Sequence, residues 1–249
     1  MIPYHGLPVT PETAAVHAVQ AGHAFVSFAH PVQLPVAAAV CQSFALDNGA
    51  FPAWARNKPI TDWSPFYRWA DECLRIPSCD FAVVPDVIDG DESANDALLN
   101  EWPFARTVGA PVWHMHESLE RLERLADGGW NRVCLGSSGE FKTVGSASWW
   151  ARMRQAMAVL CDAGGRPRVR LHGLRMLNPK VFSVLPFASA DSTNIGRNVG
   201  IDKRWNGTYA PATKEARALA IRLRIEAFNA PSIWVSERAP YHSTEDQLW

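Results

Sequence analysis

Short apolar runs recur along this chain at intervals that leave room for one helix between each pair. The runs are AFVSFAH (24–30), SFALDNGAF (43–51), DFAVVPDV (80–87), PVWHMHE (111–117), RVCLGSSG (132–139), RVRLHGL (168–174) and PFASADST (186–193). Their apolar cores are too short for helices and are bounded by Gly, Pro or Asp, so they read as strands. Helical patterns lie between them. TPETAAVHAVQAG opens with Thr10 as N-cap and Pro11 at the first position, a normal helix start. DWSPFYRWADECLRI, DESANDALLNEWPFART, ESLERLERLADGG and SASWWARMRQAMAVLCDAGG follow, two of them ending in Gly-Gly, which stops a helix.

Repeated strand–helix alternation dictates a parallel α/β sheet. Seven strands at this spacing fit a single-domain (β/α)8 TIM-type barrel with one more strand near the N-terminus, around MIPYHGL. A doubly wound open sheet is the main alternative, but no GxGxxG follows any strand. No linker, repeat or low-complexity tract divides the 249 residues, and an irregular extension is expected from about residue 230.

Composition narrows the function classes. The chain is 47% hydrophobic and 20% charged, ordinary for a globular core. No apolar run is long enough for a membrane span. The N-terminus has neither a basic start nor an apolar h-region, so the expected compartment is the cytoplasm. Five cysteines, odd in number and without CxxC spacing, suggest neither a disulfide framework nor a zinc site. No cofactor or metal is expected. The net charge of -1 hides a basic block. Between Arg166 and Arg224, twelve Lys and Arg stand against Asp191, Asp202 and Glu215. Such a block is compatible with a polyanionic partner, although the 214–224 part also suits a solvated helix face.

In a (β/α)8 barrel the C-terminal strand ends share one mouth, where the chemistry sits. Here the tips carry Asp47 with Asn48 and Gly49; Asp86; His114, His116 and Glu117; Gly136, Ser137 and Ser138; His172 and Gly173; and Asp191 with Ser192. Three acids at three separated tips exceed what turn capping supplies. Carboxylates sharing a pocket divide into a nucleophile or base and a general acid, because each raises its neighbour's pKa. Attack on an anomeric carbon is one use of such a set. The glycines let a flat ligand approach the backbone closely.

The ordered motifs resemble one family. LDNGAF (46–51) is similar to the DSGGF signature of the tRNA-guanine transglycosylases, (β/α)8 barrels that exchange guanine for a 7-deazaguanine base. Pro85–Asp86 resembles the place of that family's second substrate-binding Asp, LGSSGE (135–140) its glycine-rich base-holding segment, LHGL (171–174) the next turn, and ADSTNIGRN (190–198) the nucleophile segment. The family's zinc motif is absent, and no C-terminal tRNA-binding domain is expected. The chain therefore looks more like the shortened relatives that insert 7-deazaguanines into phage and bacterial DNA. The resemblance implies Asp191 as nucleophile on C1′, Asp47 as general acid/base and Asp86 as acceptor for the guanine pairing edge. His116, Gly136, Ser137, Ser138, His172, Gly173 and Phe51 would bound the substrate. Nucleic-acid contacts would come from Arg197, Lys203, Arg204, Arg175 and Trp205, with Trp54 a further stacking candidate. The partners implied are DNA with a single-stranded or flipped guanine, a 7-deazaguanine base such as preQ0, tRNA as the alternative polymer, and a partner protein where DNA must be opened. Two other readings stand beside it: a metal-dependent amidohydrolase-type barrel using HMH, His172 and Asp191, and a non-catalytic nucleic-acid-binding barrel.

Overall fold

The computed structural model describes residues 1–200, 205 and 209–236. Strands and helices alternate as β1 (Ile2–Leu7), α1 (Glu12–Val19), β2 (His23–Ser27), α2 (Leu34–Val40), β3 (Ser43–Asp47), α3 (Ala50–Ala55), α4 (Ser64–Leu74), β4 (Cys79–Val83), α5 (Glu92–Glu101), β5 (Gly109–Ala110), β6 (Val112–His114), α6 (Leu119–Asp127), β7 (Arg132–Gly136), α7 (Ala147–Leu160), β8 (Arg170–Gly173), α8 (Pro179–Phe182), β9 (Ser189–Ser192), α9 (Asn194–Asn198) and α10 (Lys214–Glu226). The nine strands form one all-parallel, nearly closed, barrel-shaped sheet in the order β5-β4-β3-β2-β1-β9-β8-β7-β6, consistent with a TIM-type barrel. The N-terminal strand expected around MIPYHGL is β1, lying between β2 and β9. The two edge strands, β5 and β6, are separated by Pro111 alone. Proline has no N–H to give a ladder, but its carbonyl accepts from Cys134 N at 2.8 Å, so the chain passes from one edge to the other without leaving the sheet.

Each strand buries both faces, which is why the strands read as continuous apolar runs. One set of alternate residues, Tyr4, Phe25, Ala45, Phe81, Val83, Val112 and Cys134, fills the barrel interior. The other set, among them Ala24, Val26, Phe44, Leu46, Ala82, Trp113, Val133, Leu135, Leu171 and Ala190, packs under the helices. Trp113 and Trp149 are fully buried in this outer layer. Truncating either to alanine would cost about 3–5 kcal/mol.

Local chemistry sets the helix ends. Asp91, Ser118, Ser146 and Thr213 each accept a hydrogen bond from a backbone N–H three residues on, as N-caps do. α1 departs from its expected start: Pro11 takes the cap position, Glu12 is the first helical residue and no side chain caps it. The Gly128–Gly129 pair ends α6, Gly129 at φ +78, whereas α7 stops at Leu160 and Gly164–Gly165 falls in the turn beyond. The strand expected over 43–51 ends at Asp47, and residues 50–55 are helical. Among the described residues no helix is long and apolar enough to cross a membrane. All five cysteines are free thiols, and Cys134 is a core residue. Residues 231–236 form neither helix nor strand.

Candidate active site

The C-terminal strand ends open onto a cavity of about 540 Å³, within the range of pockets that hold small ligands. Asp47, Asp86 and Asp191, expected from three strand tips, all line it, together with Gly136, Ser137, Phe51, Arg175 and Arg197. A larger depression of about 690 Å³ lies around Met1, Trp130 and Pro186–Ala188 and holds no carboxylate. It is the opposite end of the barrel, where strands begin.

Each carboxylate is held differently. Asp47 accepts from Ser27 Oγ at 2.6 Å across the β2–β3 ladder. Burial pushes its carboxyl up to about 6; the Ser27 hydroxyl opposes the rise, and Asp191 and Asp86 add to it. Asp86, 8% exposed, takes Asn48 Nδ2 at 2.6 Å on Oδ1. Asn48 also donates to the Val84 carbonyl and accepts from Ala50 N. It thereby braces the first tip against the second. Gly49 follows at φ +81, with a Cβ position only 3.1 Å from Ala29 N, so a left-handed glycine makes this turn. Asp191 is 3% exposed and accepts from Arg175 N at 2.8 Å on Oδ1.

Histidine placement corrects the sequence reading. His114, for which the resemblance implied no substrate contact, lines the cavity. Its Nε2 lies 2.9 Å from Asp86 Oδ2 but out of line for a hydrogen bond, and that buried nitrogen has no other partner. A Cβ on Gly136 would crowd Val112 Cγ1 at 3.3 Å and touch the His114 ring at 3.4 Å. His116, expected at the base edge, does not line the cavity. It is exposed and occupied by Ser138 Oγ at 2.7 Å and the Gly90 carbonyl at 3.1 Å. Ser138 is therefore also outside the cavity. Strand β6 ends at His114, and the chain turns at Met115–His116, so the two histidines part company. Glu117, the last polar residue of that tip, is structural: buried, it accepts from Arg121 at 2.6 Å and from Asn95 at 2.8 Å.

His172 and Gly173 do not bound the cavity either. His172 lies one layer below it, fully buried, with Nε2 3.3 Å from Asp191 Oδ1. A Cβ on Gly173 would meet the Phe187 ring at 2.6 Å, so that glycine serves packing.

The cationic rim consists of Arg56, Lys142, Arg175 and Arg197; sequence reasoning missed the first two, which lie on loops far from the basic block. Arg175 is left-handed at φ +58 and stacks its guanidinium over Phe51, 4.3 Å from the ring centre. Burial, and then repulsion from Arg197, holds it below the usual guanidinium range. Phe51 in turn packs on Trp54, which is partly exposed outside the cavity lining. Trp205 is corrected: it is 5% exposed, donates Nε1 to the Asn198 carbonyl and lies under Arg224, so as packed it offers no face to a base. Lys203 and Arg204 lie outside the described residues. Other members of the basic block serve the fold: Arg217 is buried on the Val199 carbonyl, Arg168 pairs with Asp127 and Arg222 with Glu226. Among the described residues no group of three or more His, Cys, Asp or Glu side chains is placed to hold a metal ion.

Compared with known proteins, the chain matches no family model, and no curated protein or solved structure matches it either.

Proposed function

We propose that this protein is a base-exchange enzyme that replaces guanine in DNA by a 7-deazaguanine base through a covalent glycosyl ester on Asp191. What carries the reading is one observation: three carboxylates from three separate strands line a single cavity, and one of them, Asp47, is pushed up to about 6. A carboxyl near that value can be proton donor in one half of a reaction at neutral pH and acceptor in the other. We also read β5, Pro111 and β6 as one interrupted strand, which makes the sheet a single-domain (β/α)8 barrel.

In the first half-reaction an Asp191 oxygen attacks C1′ of the guanine nucleotide, and the C1′–N9 bond breaks. Its electron pair leaves with the base, which takes a proton from Asp47. In the second half Asp47 removes a proton from the incoming 7-deazaguanine, whose ring nitrogen attacks C1′ and frees Asp191. Asp86 accepts the N1–H and 2-amino hydrogen bonds of guanine, a pairing suited to a carboxylate. The cationic rim meets the phosphates, which position the strand without reading it. A guanine within a duplex cannot reach such a mouth, so it must be flipped out or single-stranded.

The test is release of labelled guanine from DNA in the presence of a 7-deazaguanine base, with nucleoside mass spectrometry of DNA and tRNA from cells given such a base. Modified guanine in tRNA alone would select the tRNA-acting alternative. No exchange in either polymer would leave a binding barrel. The amidohydrolase reading gains nothing here, because His116 turns away from the cavity and His172 lies beneath it.

A further inference from the structure

A chain of hydrogen bonds runs through the barrel interior to Asp191. It starts at Asp80, near the beginning of β4, whose Oδ2 accepts from Arg132 at 3.0 Å. Arg132 Nη1 donates to Ser189 Oγ at 2.7 Å. Ser189 Oγ lies 2.8 Å from His172 Nδ1, and His172 Nε2 lies 3.3 Å from Asp191 Oδ1. Arg132, Ser189 and His172 are all buried, on three successive strands. The His172 ring is pinned by rings: it stacks on Phe25 at 5.4 Å and meets Phe81 edge-on at 5.3 Å.

The protons in this chain can be assigned. Burial holds the His172 ring below the usual imidazole range, so it is neutral at neutral pH, with one donor and one acceptor nitrogen. Arg132 can only donate, so it occupies a lone pair of Ser189 Oγ. If Nδ1 also donated to Ser189, Nε2 would set a lone pair against the Asp191 carboxylate, acceptor against acceptor. The arrangement without that conflict has Ser189 O–H donating to Nδ1 and Nε2–H donating to Asp191. The hydrogen bond at one ring nitrogen thus decides what the other presents.

We propose that Arg132 and Ser189 are positioning residues that lock His172 as its Nε2–H tautomer, so that His172 and the Arg175 amide together occupy Asp191 Oδ1 and leave Oδ2 as the attacking oxygen. The tautomer stands on the geometry together with the neutrality that burial imposes on the ring; the identity of the attacking oxygen rests on the base-exchange reading. Among the described residues both hydrogen bonds that Asp191 accepts on its side chain go to Oδ1. A carboxylate free to rotate would present either oxygen, and the two clamps on one atom remove that freedom before substrate arrives.

The experiment is two-bond proton–nitrogen correlation of the imidazole rings in histidine-labelled protein, with His172 identified by the signal lost in His172→Gln. The expected wild-type spectrum shows His172 neutral, protonated on Nε2 alone, at pH 7 to 8. Ser189→Ala is expected to replace that single form by a mixture of tautomers. In the exchange assay it should lower kcat about 10-fold or more, the size seen when a supporting partner is removed, with KM little changed. A wild-type His172 protonated on Nδ1, or on both nitrogens, overturns the proposal, and this needs no variant to fold. A single Nε2–H form in both wild type and Ser189→Ala overturns the role of Ser189. The expected spectra in a protein without exchange activity support the tautomer lock and count only against base exchange.

Discussion

The two ends of the barrel interior both hold acids, and they treat them in opposite ways. At the end where strands begin, Asp80 receives a guanidinium from Arg132 and a phenol from Tyr4 at 2.5 Å. Burial and the Asp80 charge raise the Tyr4 phenol, so it stays a donor, and Arg132 is further held 4.0 Å over the Phe81 ring. That carboxylate is neutralised and clamped. At the other end Asp47, Asp86 and Asp191 share one cavity, and their close hydrogen-bond partners are a hydroxyl, a carboxamide, an imidazole and a backbone amide. The nearby Arg175 guanidinium sits on Phe51 instead. Burial first, and then the charges of Asp191 and Asp86, raise the Asp47 carboxyl. The acid at the strand starts is given a guanidinium; the acids at the mouth are held by hydrogen bonds and, among the described residues, pair with no guanidinium.

The sharpest break of this contrast is Asp191→Asn. It keeps shape and acceptor, but a carboxamide is a poor nucleophile. Base exchange should fall on the order of 10³-fold or more while the thermal midpoint stays near wild type. Near-normal exchange would remove Asp191 as nucleophile and with it the functional half of the comparison. At the other end Arg132→Met should act on stability first, beyond any effect on exchange that follows from its link to His172. It takes the cation from Asp80, leaving the Tyr4 phenol, and one donor from Ser189 Oγ, and breaking a largely buried pair by removing one partner is strongly destabilising. Asp80 keeps some solvent, with its side chain 29% exposed, so we expect a loss of about 2–4 kcal/mol, read from thermal unfolding. A loss within about 0.5 kcal/mol would mean that the clamp is dispensable.

What the sequence revealed and what it hid divide along physical lines. Strands buried on both faces are apolar throughout, so seven stood out, and β1 was expected from the gap they left. Helix α2, LPVAAAV, was missed because it carries no polar face to set a period; α3 was missed because Ala50 and Phe51, its first residues, prolong the apolar run of β3 past the Asn48–Gly49 turn. The three acids were legible because a charge directly after an apolar run must sit at a strand end. The histidines were not. Residues i and i+2 share a face only while a strand continues, and β6, begun after Pro111, stops at His114. Depth was equally hidden: alternation turns His172 inward but does not say how far below the mouth it lies. Nor does composition show that Arg217 and Trp205 are spent on the fold.

Asp47 offers a smaller and more diagnostic effect. Its folded-state value near 6 lies above the ordinary carboxyl value near 4 of an unfolded chain. The folded state therefore holds the proton more tightly, and the cost of ionising Asp47 is absent below about pH 4, grows through pH 4 to 6 and is complete above. Asp47→Asn removes that cost and can still accept from Ser27. The variant should match wild type at pH 4 and exceed it by about 2 kcal/mol at pH 7, an order-of-magnitude figure from a shift of roughly two units. It should also lose exchange, since the carboxamide carries no transferable proton. A stability difference that does not grow with pH would show that the charge at the mouth is neutralised as fully as at Asp80.

The smallest effect separates the two ends by what each cation serves. Arg197 and Arg132 carry the same charge, and both stand near acids of the barrel. Arg132 is enclosed among partners, whereas Arg197 is exposed on α9, where it lines the main cavity and an adjoining depression of about 160 Å³ with Ser192, Thr193 and Asn194. It repels another cation, Arg175, and among the described residues it enters no ion pair. Removing it should relieve repulsion rather than break a pair, so Arg197→Ala should leave the thermal midpoint unchanged. If the rim meets a polyanion, each lost phosphate contact lowers the steepness with which binding falls as salt rises, by about 0.7 in the logarithmic slope for a single strand. The measurement is a titration of wild type and Arg197→Ala with guanine-containing single-stranded DNA at several salt concentrations, with duplex DNA and tRNA in parallel. We expect a shallower slope for the variant, weaker binding of closed duplex because opening it costs a few kcal/mol, and no preference for tRNA. An unchanged slope would leave Arg197 a solvated surface charge and confine the contrast between the ends to their carboxylates. A clear tRNA preference would keep the contrast and change the polymer.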